Sequence, residues 1–199
     1  MKAELWIGED RFCKRFFDSD ELKKELQVYQ KQLPMTARLI SAGGMQIDLS
    51  LLQGRPYLDT PLSFFPGLLG RTLAAFHQSG FDGSKCWCHW DNNPKNILLS
   101  EDLTAYYLVD FAQLEFDFPE ADLTHLLLFW IQHFNDEQLR LFTKLFINAY
   151  TLLMPIDKER WNQHIPLSIR RFNQRRIDFG KAPDLLLNNT RYIQHLIGL

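Results

Sequence analysis

A polar loop that feeds into two short apolar runs is the feature that most constrains this chain. The segment CHWDNNPKNILL, 88–99, carries Asp91 and, five residues later, Asn96. A second apolar run, Ala105 to Val109, ends on Asp110, 14 residues after Asn96. Ser100-Glu101-Asp102 lies between the runs, so the pair reads as a hairpin whose ends present Asn96 and Asp110 beside each other. Any fold for this chain must therefore hold a carboxylate and an amide at one end of a hairpin, with a second carboxylate in the loop before it.

The rest of the chain divides around this motif. ELWI and RFCKRFF flank Gly8-Glu9-Asp10 as two strands flank a turn. Asp18 and Ser19 are good N-caps, and Leu22, Leu26, Tyr29 and Leu33 recur at helical spacing until Pro34. Ala37 to Leu52 reads as a second hairpin about Gly43-Gly44. The first 55 residues thus form a small hairpin, helix and hairpin unit. Gly54-Arg55-Pro56 marks a boundary, and the remainder, 56–199, is mainly helical. Helices are expected near 65–77, 121–134, 136–153, 157–176 and 183–197. The fold class expected is α+β.

The residue types at the loop suit phosphoryl transfer. That reaction asks a protein for a carboxylate near the attacking hydroxyl and oxygen ligands for magnesium on the phosphates, with little covalent chemistry. Asp91 can serve the first need, and Asn96 with Asp110 the second, because magnesium accepts mixed carboxylate and amide oxygens.

His89, Asp91, Asn96 and Asp110-Phe111-Ala112 resemble the catalytic and magnesium loops of the protein-kinase-like superfamily, H-x-D-x-x-x-x-N followed by D-F-x. Asp122-Leu123-Thr124 follows Asp110 by only 12 residues. This short gap resembles the aminoglycoside phosphotransferase and choline kinase branch, as does GRTLAAFHQSG, 70–80, before the loop. Lipopolysaccharide core kinases and minimal atypical kinases are similar in the same motifs.

The resemblance implies a two-lobed fold, with a reduced β-rich N-lobe over 1–55 and a helical C-lobe over 56–199 that carries both loops. It implies ATP and magnesium as cofactors and Asp91 as the catalytic base. Asn96 and Asp110 would hold the metal and the nucleotide. Lys14 would contact the α- and β-phosphates, oriented by Glu25 or, failing that, Glu21. Backbone groups near Leu52 to Tyr57 would meet adenine, while His77 and Asp122 would brace the catalytic loop and His89 would pack it. Two departures stand out. Gly8 is the sole glycine before Lys14, so the glycine-rich loop is missing, and Ala112 replaces the usual glycine after D-F.

The expected activity is transfer of the ATP γ-phosphate to a hydroxyl of a small molecule or glycan. The alternatives are a pseudokinase or regulatory nucleotide-binding module, and a minimal atypical protein Ser/Thr kinase working with a protein partner.

Composition removes other classes. With 46% apolar residues the chain can build a sizeable core, and its formal net charge of -2 gives no general attraction to nucleic acid or anionic membrane. Arg170, Arg171, Arg175 and Arg176 cluster, but such a run usually forms a solvated helix face. Three cysteines suit a reducing compartment, and the cytoplasm is expected. Cys86, Cys88 and His89 resemble only a fragment of a zinc site. The N-terminus, with Glu4, Glu9 and Asp10, does not read as a signal peptide, and the apolar stretch 123–134 is short of the roughly 20 residues that span a bilayer.

Overall fold

A computed structural model describes residues 3–59 and 64–183. Their contacts cluster into two compact units: Met1–Phe64 with Pro94–Leu114, and Phe65–Asn93 with Glu115–Leu199. The hairpin that carries Asn96 and Asp110, grouped with the helical remainder on sequence, makes its contacts within the first unit.

The first unit opens with an antiparallel sheet. Strands β1 (Ala3–Ile7) and β2 (Arg11–Phe16) form the expected hairpin, β3 (Leu39–Gly43) and β4 (Gln46–Ser50) the second, and the order is β1-β2-β4-β3. The second hairpin turns at Gly44, whose φ of 58° is the left-handed conformation that glycine adopts without penalty. Lys14 lies on the inner strand β2, opposite Leu5 on one side and Ile47 on the other.

Helix α1 (Ser19–Tyr29) is capped by Asp18, whose carboxylate accepts from the Asp20 amide at 2.7 Å. Its buried face is Leu22, Glu25, Val28 and Tyr29. Of the stripe expected through Leu22, Leu26, Tyr29 and Leu33, Leu22 and Tyr29 are buried, Leu26 is half-buried and Leu33 falls beyond the helix. The helix ends early because the chain turns at Gln32, with φ of 50°.

Strands β5 (Gly54–Pro56), β7 (Ile97–Ser100) and β8 (Tyr106–Leu108) make a second antiparallel sheet in the order β5-β7-β8. The turn joining β7 and β8 is organised by Ser100, which donates to Asp102 at 2.6 Å and accepts from the Thr104 amide at 3.1 Å. Tyr57, Ile97, Leu99, Tyr106, Leu108 and Phe111 are fully buried there, and Tyr29 meets Phe111 edge-on at 5.3 Å.

The second unit is helical apart from β6 (Cys86–Cys88) and β9 (Glu115–Asp117), which pair antiparallel. Its helices are α2 (Pro66–Ser79), α3 (Pro119–Ile131), α4 (Asp136–Thr151) and α5 (Lys158–Asp178). Almost every side chain of α3 is buried, its apolar residues together with Glu120, Asp122, Thr124 and His125, and α5 packs along it. Helices α2 and α4 approach closely at Gly70, where an added Cβ would lie 2.4 Å from the Phe146 carbonyl oxygen. The start of α4 is fixed by a capping box between Asn135 and Gln138. The helix expected at 183–197 lies outside the described residues. Among the described residues no helix is long and apolar enough to cross a membrane.

Candidate active site

The first unit holds a cavity of about 310 Å³. Leu49, Leu51, Leu52 and Leu98 supply apolar lining, and Lys14, Glu25, Asn96 and Asp110 supply the polar groups. An apolar lining with a few polar groups is the usual composition of a small-molecule site. Leu51 and Leu52 belong to or border the segment expected to meet adenine.

Lys14 holds the polar groups together. Its ammonium donates to Glu25 Oε1 and, at 2.6 Å, to Asp110 Oδ1. Glu25 is buried completely and Lys14 is 6% exposed, so the pair replaces hydration that neither group retains. Burial opposes the charge on Lys14, but Glu25 and Asp110 outweigh it and its pKa is raised. Glu25 moves the other way for a carboxylate in an ion pair. Burial dominates, Lys14 offsets it only in part, Asp110 adds like charge, and the pKa rises to about 7. One ammonium shared by two carboxylates leaves a net negative charge, and the more buried acid is the one that takes up a proton. Lys14 thus meets Glu25, the first of the two glutamates considered on sequence.

Asn96 and Asp110 are brought together by the hairpin, whose Val109 amide donates to the Asn96 carbonyl at 3.0 Å. Asp110 is left-handed, with φ of 65°, an uncommon conformation that aspartate tolerates better than most residues. A carboxylate and an amide oxygen on one cavity are a hard donor set, which fits magnesium carried by a nucleotide. The turn between β1 and β2 has only Gly8, so no glycine-rich run of amides stands ready there for phosphates.

In the second unit the loop of His89 to Asn92 is stitched by one buried residue. Asp122 accepts from the amides of His89 and Trp90, each at 2.8 Å, from Asn92 Nδ2 at 2.7 Å, and meets His77 Nε2 at 3.1 Å. Burial would raise the pKa of Asp122, but the hydrogen bond and charge of His77 and the donors of the loop hold it at about 2. The other ring nitrogen of His77 lies 2.7 Å from the Tyr150 hydroxyl. The brace expected of Asp122 and His77 is present, and buried His89 packs the loop, its Nδ1 accepting from the Asp91 amide at 3.3 Å.

Asp91 meets a residue that spacing does not reveal. Arg175, on α5, places Nη2 2.8 Å from Asp91 Oδ2 and donates from Nη1 to the Trp90 carbonyl at 3.2 Å. One turn earlier on α5, Arg171 lies over the Trp90 ring, 3.6 Å from its centroid. Trp90 itself has φ of 58°, a strained value for a bulky residue, retained because Asp122 and Arg175 grip its two peptide groups. Beneath it His125 is buried among Trp90, Phe129 and Phe172, and burial lowers its pKa to about 4.

The sulfur atoms of Cys86 and Cys88 lie 3.8 Å apart and group with His77, not with His89. Both nitrogens of His77 are already engaged, and three groups fall short of the four that structural zinc takes.

No protein-family model matches the sequence, and no curated protein matches it either. Solved structures do match in fold. An aminoglycoside phosphotransferase from Alicyclobacillus acidocaldarius superposes with a TM-score of 0.67 at 14% identity, over 98% of this chain and 84% of that one. A choline kinase from Streptococcus pneumoniae gives 0.65 at 14% identity, over 100% and 90%. An aminoglycoside phosphotransferase from Streptomyces rimosus, in complex with ADP and streptomycin, gives 0.63 at 14% identity, over 78% and 85%.

The chain has the protein-kinase-like fold. Within that fold it is similar to the aminoglycoside phosphotransferase and choline kinase branch.

Proposed function

We propose that this protein is an ATP-dependent phosphotransferase whose acceptor is a hydroxyl of a small molecule or glycan. The observation that carries the reading is the junction of Lys14 with Glu25 and Asp110 on the polar side of a cavity that Asn96 also lines. A lysine fixed by a buried glutamate is poised to hold phosphate oxygens, and the leucines of the cavity suit a purine ring.

Magnesium held by Asn96 and Asp110 would neutralise phosphate charge. Lys14 steadies the phosphates. Asp91 accepts the proton of the acceptor hydroxyl as its oxygen bonds to the γ-phosphorus and the bond to the β-phosphate oxygen breaks, giving ADP. Asp122 keeps Asp91 in place by fixing the amides on its N-terminal side and the Asn92 side chain on the other. Similar fold in small-molecule kinases supports a small acceptor, as does the short segment between Asp110 and Asp122. A cytoplasmic setting, where ATP is available, suits the three free cysteines.

The test is ADP formation with magnesium-ATP across a panel of sugars, amino sugars, polyols and choline-like alcohols, using wild type and Asp91→Asn. Acceptor-dependent ADP release that Asp91→Asn reduces by at least about a hundredfold supports the reading. ATP binding without turnover on any acceptor would favour the regulatory nucleotide-binding module, and transfer to a protein would favour a minimal protein kinase.

A further inference from the structure

Asp91 is paired with Arg175, and a second guanidinium, Arg171, lies over the neighbouring Trp90. Arg175 and Arg171 stand four residues apart on α5 and so share one face of it. Arg175 spends N–H groups on Asp91 and on the Trp90 carbonyl, yet a guanidinium carries five, and 27% of this side chain remains exposed. Arg171 lies on the face of Trp90, an arrangement that leaves the N–H groups at the rim of its plane available. Burial and the like charge of Arg175 both act against the charged form of Arg171, so an additional anion would relieve this pair.

Two other acids are near enough to influence Arg171, Asp122 and Glu115. Asp122 is committed to His77, to two loop amides and to Asn92. Glu115 is exposed on β9. The group immediately beside the base is thus one carboxylate faced by two guanidiniums. An acceptor anion placed there would meet the two guanidiniums directly, whereas an acceptor amine would be set against both of them.

We propose that the acceptor carries a carboxylate or phosphate monoester that Arg171 and Arg175 hold beside Asp91, so that this site selects acidic or phosphorylated sugars over amino sugars. The proposal rests on Asp91 being the base of the reaction above. Arg175 then has two functions: it orients Asp91 in the free protein and grips the anion of the acceptor once its hydroxyl is seated. The strained Trp90 backbone serves the same end, since it presents the carbonyl that holds Arg175 and the ring that supports Arg171.

The test is ligand-observed NMR titration of the whole chain with glucuronate, glucose 6-phosphate, glucose and glucosamine, with magnesium-ATP binding measured on the same samples. At least one of the two anionic sugars is expected to bind about tenfold or more tightly than glucose, with glucosamine weakest, the ratio a charge-assisted hydrogen bond supports. Arg175→Gln and Arg171→Gln should each bring anionic sugars to the level of glucose, Arg175→Lys should retain part of the preference, and exposed Arg170→Gln should retain all of it. Equal binding of all four sugars, preference for glucosamine, or no binding by either anion would overturn the proposal. So would an Arg175→Gln variant that turns over every sugar faster regardless of charge, because Arg175 would then only mask the base. Failure of magnesium-ATP to bind would instead remove the kinase reading, and the anion preference would still be read independently.

Discussion

Lys14 and Asp110 are 96 residues apart in sequence, and the Lys14 ammonium donates to the Asp110 carboxylate at 2.6 Å while also donating to Glu25. The free protein therefore already holds in contact the lysine assigned to the phosphates and one of the acids assigned to the metal. Lys14→Met keeps the length of the side chain and removes the charge. It is expected to weaken magnesium-ATP binding by about tenfold or more, the scale of a lost charge-assisted hydrogen bond, read by calorimetric titration. Unchanged affinity would remove Lys14 from the nucleotide site.

Glu25 makes stability depend on pH. Its folded pKa, about 7, lies above the ordinary value of 4.5. The folded state therefore binds the proton more tightly, and this contribution is full below 4.5 and is lost as pH rises towards 7. Glu25→Gln should remove that decline, making the variant gain on wild type by roughly 1–3 kcal/mol between pH 5 and pH 8. His125, lowered to about 4 by burial, acts with the opposite sign in an overlapping range. Urea unfolding of variant and wild type at both pH values isolates the Glu25 part, and parallel profiles would contradict it.

Asp122 binds the loop of His89 to Asn92 from a fully buried position. Asp122→Ala would orphan the amides of His89 and Trp90 together with the Asn92 side chain, at a cost of about 2–4 kcal/mol. Because its folded pKa is depressed to about 2, its stabilisation is present above 3.8 and is lost as pH falls through about 2. Wild type should thus keep this brace in mild acid, and Asp122→Ala should lose stability at pH 5 and pH 7 alike. Thermal unfolding at the two pH values checks both statements.

Gly70 has a packing reason to lack a side chain. An alanine Cβ there would stand 2.4 Å from the Phe146 carbonyl, so α2 and α4 would have to separate. Gly70→Ala should destabilise the protein by about 1–3 kcal/mol despite the better helix propensity of alanine. A melting temperature at or above that of wild type would show that the helices can part without cost.

The sequence showed the loop of the site more clearly than its surroundings. The pairing of Asn96 with Asp110 was legible because a hairpin converts spacing along the chain into proximity, and Asp122 because it follows a short fixed segment. Glu25, placed before Glu21 on sequence, lies on the buried face of α1 with Leu22, Val28 and Tyr29, and its contact with Lys14 is decided by that burial. The three-residue strands β5, β6 and β9 are too short to show a period, and their partners decide them. Arg175 was visible only as one member of a basic run. Its contact with Asp91 spans 84 residues, and the sole local hint was that Arg171 and Arg175 lie one turn apart.

The central claim is that the cavity beside Lys14 and Asp110 takes a nucleotide with magnesium. Calorimetric titration of ATP into wild type and Asp110→Asn, each with and without magnesium, tests it most directly. The account predicts binding by wild type that strengthens with magnesium, and loss of that magnesium dependence in Asp110→Asn. No binding by wild type, or an identical magnesium response in the two proteins, would contradict it.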